Sequence, residues 1–198
     1  MGYIAIVDYG AGNLMSVHNT LDFLGYENKV ASTGEVIENA AGVILPGVGA
    51  FGDAMDKLVA TGLVPVIRAE AEKKPLLGIC LGMQMMNTYF LVAEEAERRG
   101  WDGPLLALFE QMKKERFMFT EPVDGHWDGH ITRDNVERFK HPVHVTPGSR
   151  LERLTGKQTI MGASMHNYRI THPAQSLCVA GRTDDGTIEA LEYGEQML

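Results

Sequence analysis

Short apolar, β-branched runs alternate with helical spacing along the first half of the chain. Residues 3–7 form the first run, which stops at Asp8-Tyr9-Gly10-Ala11-Gly12-Asn13. Leu14, Val17, Leu21 and Leu24 then share one helical face, and Gly25 is a C-terminal stop. Strands are expected at 26–30 and 42–45, and helices at 35–40, 53–58 and 63–73. Leu76, Leu77 and Ile79 read as a strand covered on both faces. Helical spacing resumes at Leu81, Gln84 and Met85. Strand alternating with helix implies right-handed crossovers and a doubly wound, mostly parallel sheet.

The second half has another rhythm. Residues 87–115 are helical in pattern, with a break at Gly100-Trp101-Asp102-Gly103-Pro104. Glu94-Glu95-Ala96-Glu97-Arg98-Arg99 reads as a solvated helix face. Residues 117–140 read as a polar loop, with Trp127 between His126 and His130 and with Asp124, Asp128 and Asp134 nearby. A metal cluster of His126, His130 and an aspartate has no recognised ligand spacing to support it. Strands are expected at 141–145, 158–161 and 177–182, with a helical turn at 151–154. Asp184-Asp185-Gly186 then turns the chain into a last strand at 188–192, closing a hairpin. The expected fold is α/β, a three-layer sandwich with antiparallel strands late in the chain, as a single domain over 1–198.

Composition narrows the function classes. A length of 198 residues suits one α/β domain, and 44% hydrophobic with 22% charged residues is ordinary for a globular protein. A net charge of −8 argues against a nucleic-acid surface and against anionic membranes. Cys80 and Cys178 lie far apart without metal-ligand spacing, which suggests a reducing compartment, by default the cytoplasm. Residues 1–7 are too short an apolar run for a leader, and no stretch is long enough to span a bilayer. Ile6 stands where myristoylation needs Ser or Thr.

The candidate chemistry sits at Gly78-Ile79-Cys80-Leu81-Gly82. This is a strand-to-helix elbow of the G-x-nucleophile-x-G kind, with Cys as the nucleophile. Such a turn strains the backbone at the nucleophile, and neighbouring Cβ atoms would clash there. The helix behind Cys80 aims its unsatisfied N–H groups at the sulfur, which favours thiolate, and Leu81's N–H can hold an oxyanion. A buried structural thiol is the alternative. Pro46-Gly47-Val48-Gly49-Ala50-Phe51-Gly52 ends another strand, and its glycines let backbone N–H groups approach a ligand. Gly10-Ala11-Gly12 lacks the third glycine of a dinucleotide fingerprint, since Met15 stands in its place. His18 reads as a surface or packing residue.

Three segments in order carry a resemblance: Asp8-Tyr9-Gly10-Ala11-Gly12-Asn13-Leu14, Leu45-Pro46-Gly47-Val48-Gly49-Ala50-Phe51-Gly52-Asp53-Ala54-Met55, and Gly78-Ile79-Cys80-Leu81-Gly82-Met83-Gln84. Over residues 1–86 the chain resembles class I glutamine amidotransferases, in detail the glutaminase subunits of imidazole glycerol phosphate synthase. That resemblance implies a flavodoxin-like fold and attack by Cys80 on the side-chain amide of glutamine. It implies oxyanion donors at Val48 and Leu81, and a glutamine pocket lined by Gly47, Gly49, Gln84 and His166. It implies no cofactor or metal, and a heterodimer with a cyclase partner in histidine biosynthesis. His141-Pro142-Val143, Pro147-Gly148-Ser149-Arg150-Leu151, Ser164-Met165-His166 and Asp185-Gly186-Thr187-Ile188-Glu189-Ala190 resemble the gamma-glutamyl hydrolase-like branch of the same superfamily. The family's His-Pro-Glu motif, which supplies base and acid, is expected beyond the strand at 188–191, and the sequence stops at Leu198 before it. Three readings stand at this point: a glutaminase subunit, a stand-alone gamma-glutamyl hydrolase, and a truncated or impaired homologue that only binds.

Overall fold

Ile4–Val7 (β1) is buried after its first residue and sits between two parallel neighbours, Asn28–Ala31 (β2) and Gly42–Gly47 (β3). Leu76–Cys80 (β4) extends the sheet to the parallel order β2-β1-β3-β4. The computed structural model describes residues 2–126, 135–193 and 196–197. The chain divides into two units, 2–86 and Asn87–Met197.

The first unit follows its apolar pattern. Leu14–Phe23 (α1) presents Leu21 to Ile6 and Ile44, and Ile4, Leu14, Val17 and Leu77 pack around them. Asn13 caps this helix, its side-chain oxygen accepting from the Ser16 N–H at 3.2 Å. Gly25 leaves it at φ 79°, a conformation that favours glycine. Gly34–Glu38 (α2), Phe51–Ala60 (α3) and Val64–Ala71 (α4) complete the crossovers. β3 is buried along its whole length because β1 and β4 flank it. The expectation that β4 is covered on both faces needs correction. Leu76 is buried, but Ile79 is 37% exposed, because β4 is the last strand of its sheet.

Leu81–Arg99 (α5) begins in the first unit and continues into the second, followed by Leu105–Lys114 (α6). The second unit then holds Thr120–Pro122 (β5), a 3-10 turn at Val136–Phe139, Lys140–Val145 (β6) and Arg150–Thr155 (α7). Thr159–Ala163 (β7), Tyr168–Ile170 (β8), Cys178–Arg182 (β9), Ile188–Tyr193 (β10) and Gln196–Met197 (β11) follow. The late strands are antiparallel, as expected, and form their own five-stranded sheet, β11-β10-β9-β6-β7. β8, too short to stand out in the pattern, pairs with β5.

Polar side chains lock this unit together. Asn87 is fully buried; its amide donates to the His172 carbonyl at 3.0 Å and its oxygen accepts from the Ala174 N–H at 2.9 Å. Buried Glu192 accepts the N–H groups of Arg150 and Leu151 at 3.0 and 2.7 Å, placing a carboxylate on the N-terminus of α7. The charge run at 94–99 is more than a solvated face. Glu94 accepts from the N–H groups of Gln175 and Ser176, at 3.0 and 2.7 Å, and from the Ser176 hydroxyl. Glu95 pairs with Arg98 and Arg99, and Arg99 reaches Glu115. Trp127, Asp128, His130 and Asp134 lie outside the described residues, so the loop reading there rests on the sequence alone.

Candidate active site

Cys80 is the last residue of β4 and the residue before α5, and its φ is 56°. A side chain with a Cβ rarely adopts that angle, and it costs roughly 1–2 kcal/mol. The bend is imposed by what surrounds it. A Cβ on Gly78 would lie 2.7 Å from the Met83 nitrogen and 2.7 Å from the Met86 sulfur. One on Gly82 would run into the Leu45 carbonyl oxygen. Strand and helix therefore touch backbone to backbone, and the elbow turns within one residue.

The bend brings the sulfur's backbone to the glycine-rich wall. Gly47 and Cys80 are register partners across β3 and β4. A Cβ on Gly47 would meet the Gly82 nitrogen at 2.8 Å, the Leu81 Cβ at 2.8 Å and the Tyr9 hydroxyl at 3.0 Å. The N–H groups that open α5, Leu81's first, have no carbonyl partner within the helix. Leu81 itself is buried, Val48 is 51% exposed, and Gly49 turns at φ 95°. Gln84, one turn along α5, is 6% exposed. Cys80 is a half-buried thiol, so it is neither sealed in an apolar interior nor remote from the 46–49 loop.

The turn after β1 closes the third side. Tyr9 is 3% exposed, and its hydroxyl donates to the Pro46 carbonyl at 2.9 Å. Burial pushes its phenol up to about 12, and the charge of the Cys80 thiolate pushes the same way. A Cβ on Gly12, at φ 126°, would sit 3.3 Å from the Pro46 ring. Lys57 of α3 donates to the Gly10 carbonyl at 3.2 Å. The three motif segments thus meet at the carboxyl ends of β1, β3 and β4, where open parallel sheets bind ligands. Sequence reading gives Tyr9 no role. The available signal is a polar aromatic at the carboxyl end of a buried parallel strand. Tyr9→Phe is expected to leave the Pro46 carbonyl without its donor and cost about 1–2 kcal/mol. A thermal unfolding scan would show this as a loss of roughly 2–8 °C.

His166 lies in the second unit and bonds to Glu189 there, its Nε2 3.1 Å from the carboxylate. Ser164 donates to the same oxygen at 3.0 Å. Burial alone would raise the Glu189 carboxyl, but the bond and charge of His166 and the Ser164 hydroxyl hold it below its ordinary value. His172 stacks edge-on against Phe117, with ring centres 5.9 Å apart.

The chain is 56% identical over 93 residues to the imidazole glycerol phosphate synthase subunit HisH of Moorella thermoacetica, covering 46% of this chain and 43% of that one. It is 47% identical over 111 residues to HisH of Symbiobacterium thermophilum, covering 56% and 49%. The chain thus spans less than half the length of these curated relatives. A glutamine amidotransferase from Thermotoga maritima superposes with a TM-score of 0.61 at 10% identity, over 99% of this chain and 73% of that one. A glutamine amido transferase from Methylobacillus flagellatus does so at 0.56 and 14%, over 97% and 65%. These two likenesses are of fold. The family model "Glutamine amidotransferase class-I" matches residues 5–197, and the chain belongs to the class I glutamine amidotransferase family.

Proposed function

We propose that this chain is the glutaminase subunit of an imidazole glycerol phosphate synthase, acting in cytoplasmic histidine biosynthesis as one amidotransferase domain. The observation that carries the reading is the backbone of Cys80, bent to φ 56° beside its register partner Gly47. In this reading the Cys80 sulfur attacks the side-chain amide carbon of glutamine. The oxyanion forms against the N–H groups of Val48 and Leu81, while Gly47, Gly49 and Gln84 hold the substrate. Collapse of the adduct breaks the C–N bond, giving a glutamyl thioester and, with one proton added, ammonia. Water then releases glutamate, and the ammonia passes to a cyclase subunit in a heterodimer. Support for the partner comes from the HisH relatives, which are subunits of imidazole glycerol phosphate synthase.

Labelling with a glutamine-like electrophile, with and without a cyclase subunit, tests this. Label on Cys80 that depends on the cyclase is the expected result. Label without it, accompanied by glutamate release from gamma-glutamyl amides, would favour the hydrolase that residues 141–190 resemble. No label on Cys80 in either arm would leave a protein that only binds.

A further inference from the structure

The second unit gathers imidazoles from distant parts of the chain around one carboxylate. His126 follows β5, His141 lies in β6, and Glu189 lies in β10. One ligand atom from each of these three residues lies within 4.8 Å of the others. His126 Nδ1 is 3.4 Å and His141 Nε2 is 3.9 Å from the same Glu189 oxygen. When a metal is bound tetrahedrally at zinc-like lengths, neighbouring ligand atoms stand about 3.4 Å apart. The His126 distance matches that spacing, the His141 distance is wider, and both are longer than an ordinary hydrogen bond.

The protonation logic points the same way. His126 is 6% exposed. Its Nε2 faces the Asp185 carboxylate at 3.2 Å, and a carboxylate accepts, so that nitrogen carries the proton. In the neutral ring Nδ1 then presents a lone pair toward a negatively charged Glu189 oxygen that already accepts from Ser164 and His166. Nδ1 is buried and has no hydrogen-bond partner. Negative charge and a lone pair repel, and a buried nitrogen left unpartnered is destabilising. A cation between them, a second ring proton or a metal ion, would give the nitrogen its partner. The outer contacts suit this as well. Asp185 orients His126 in the carboxylate–histidine manner of metal centres, and His166 and Ser164 hold Glu189. Ser164 also meets His141 at Nε2, a contact that the ion would replace. A cleft of about 220 Å³ is lined by both imidazoles, His126 and His141.

We propose that His126, His141 and Glu189 bind a divalent first-row transition-metal ion of the zinc class, with Asp185 and His166 orienting the first and third ligands. Two imidazoles and a carboxylate are a zinc-type donor set. The site needs neither Cys80 nor the glutaminase reading.

The experiment uses the full chain stripped with a chelator and titrated with Zn(II) and with Co(II). The expected result is one ion per chain, with a visible cobalt ligand-field band that survives in Cys80→Ala. Glu189→Gln and His141→Gln should weaken binding at least about 100-fold, while His144→Gln, an exposed residue paired with Asp184, should not. Because those variants could misfold, imidazole nitrogen shifts are read in the unmodified chain. Zn(II) should move His126 Nδ1 and His141 Nε2 and leave His144 in place. Absence of stoichiometric binding, equal affinity in Glu189→Gln and His141→Gln, or a doubly protonated His126 whose signals ignore the metal would each overturn the proposal.

Discussion

Gly82→Ala is expected to cost at least about 3 kcal/mol, the top of the usual range for forced overpacking. The added methyl has no room: its Cβ would run into the Leu45 carbonyl oxygen, which is backbone in the central strand β3. A side chain at such a contact could rotate away, but the backbone of a strand held between two neighbours cannot. Relief would have to come from lifting the start of α5 off the sheet, which would also separate Leu81 and Cys80 from Gly47. Unfolding should therefore shift down by roughly 6–12 °C, and labelling of Cys80 should fall with it. Gly52→Ala supplies the control. It lies inside α3 with nothing near its Cβ position, and there the substitution should stabilise by up to about 1 kcal/mol. If the two variants unfold alike, the close approach of strand and helix is wrong.

What can be read from the residues in advance is whatever depends on backbone. Gly47, Gly78 and Gly82 stand out because a missing side chain is itself a signal, and each proves to be a place where a Cβ would strike its neighbour. The same logic places Cys80. Contacts made by long side chains leave no such mark. Nothing in Asp8-Tyr9-Gly10 says that the phenol reaches Pro46, a residue of another strand. Glu94 reads as part of a solvated run because a charge run carries no record of the loop that folds onto it. Ile79 reads as buried because apolar runs do not say which strand is last in the sheet. The histidine group is the least legible. Ligand spacing is a local test, whereas His126, His141 and Glu189 are joined only when β6 and β10 both pair with β9. Spacing sets His126 beside His130, its neighbour in sequence, while its neighbours in space come from two strands of a sheet.

Cys80 itself should show the reverse of the ordinary ranking of alanine and glycine. Within a helix or strand, glycine is less stable than alanine by roughly 0.5–1 kcal/mol, because it loses more freedom on folding. At φ 56° the cost falls instead on any residue with a Cβ, and amounts to roughly 1–2 kcal/mol. Cys80→Gly and Cys80→Ala both remove the sulfur, so both should abolish labelling at this position. The difference between them isolates the backbone. Cys80→Gly is expected to be the more stable variant by about 1 kcal/mol, or roughly 2–4 °C in Tm. Strain at that residue is then what the fold tolerates in order to present a thiol at the end of a strand with helix amides behind it. Equal stabilities, or alanine above glycine, would mean that the elbow is relaxed, and the backbone argument for a nucleophile at this position would fall with it.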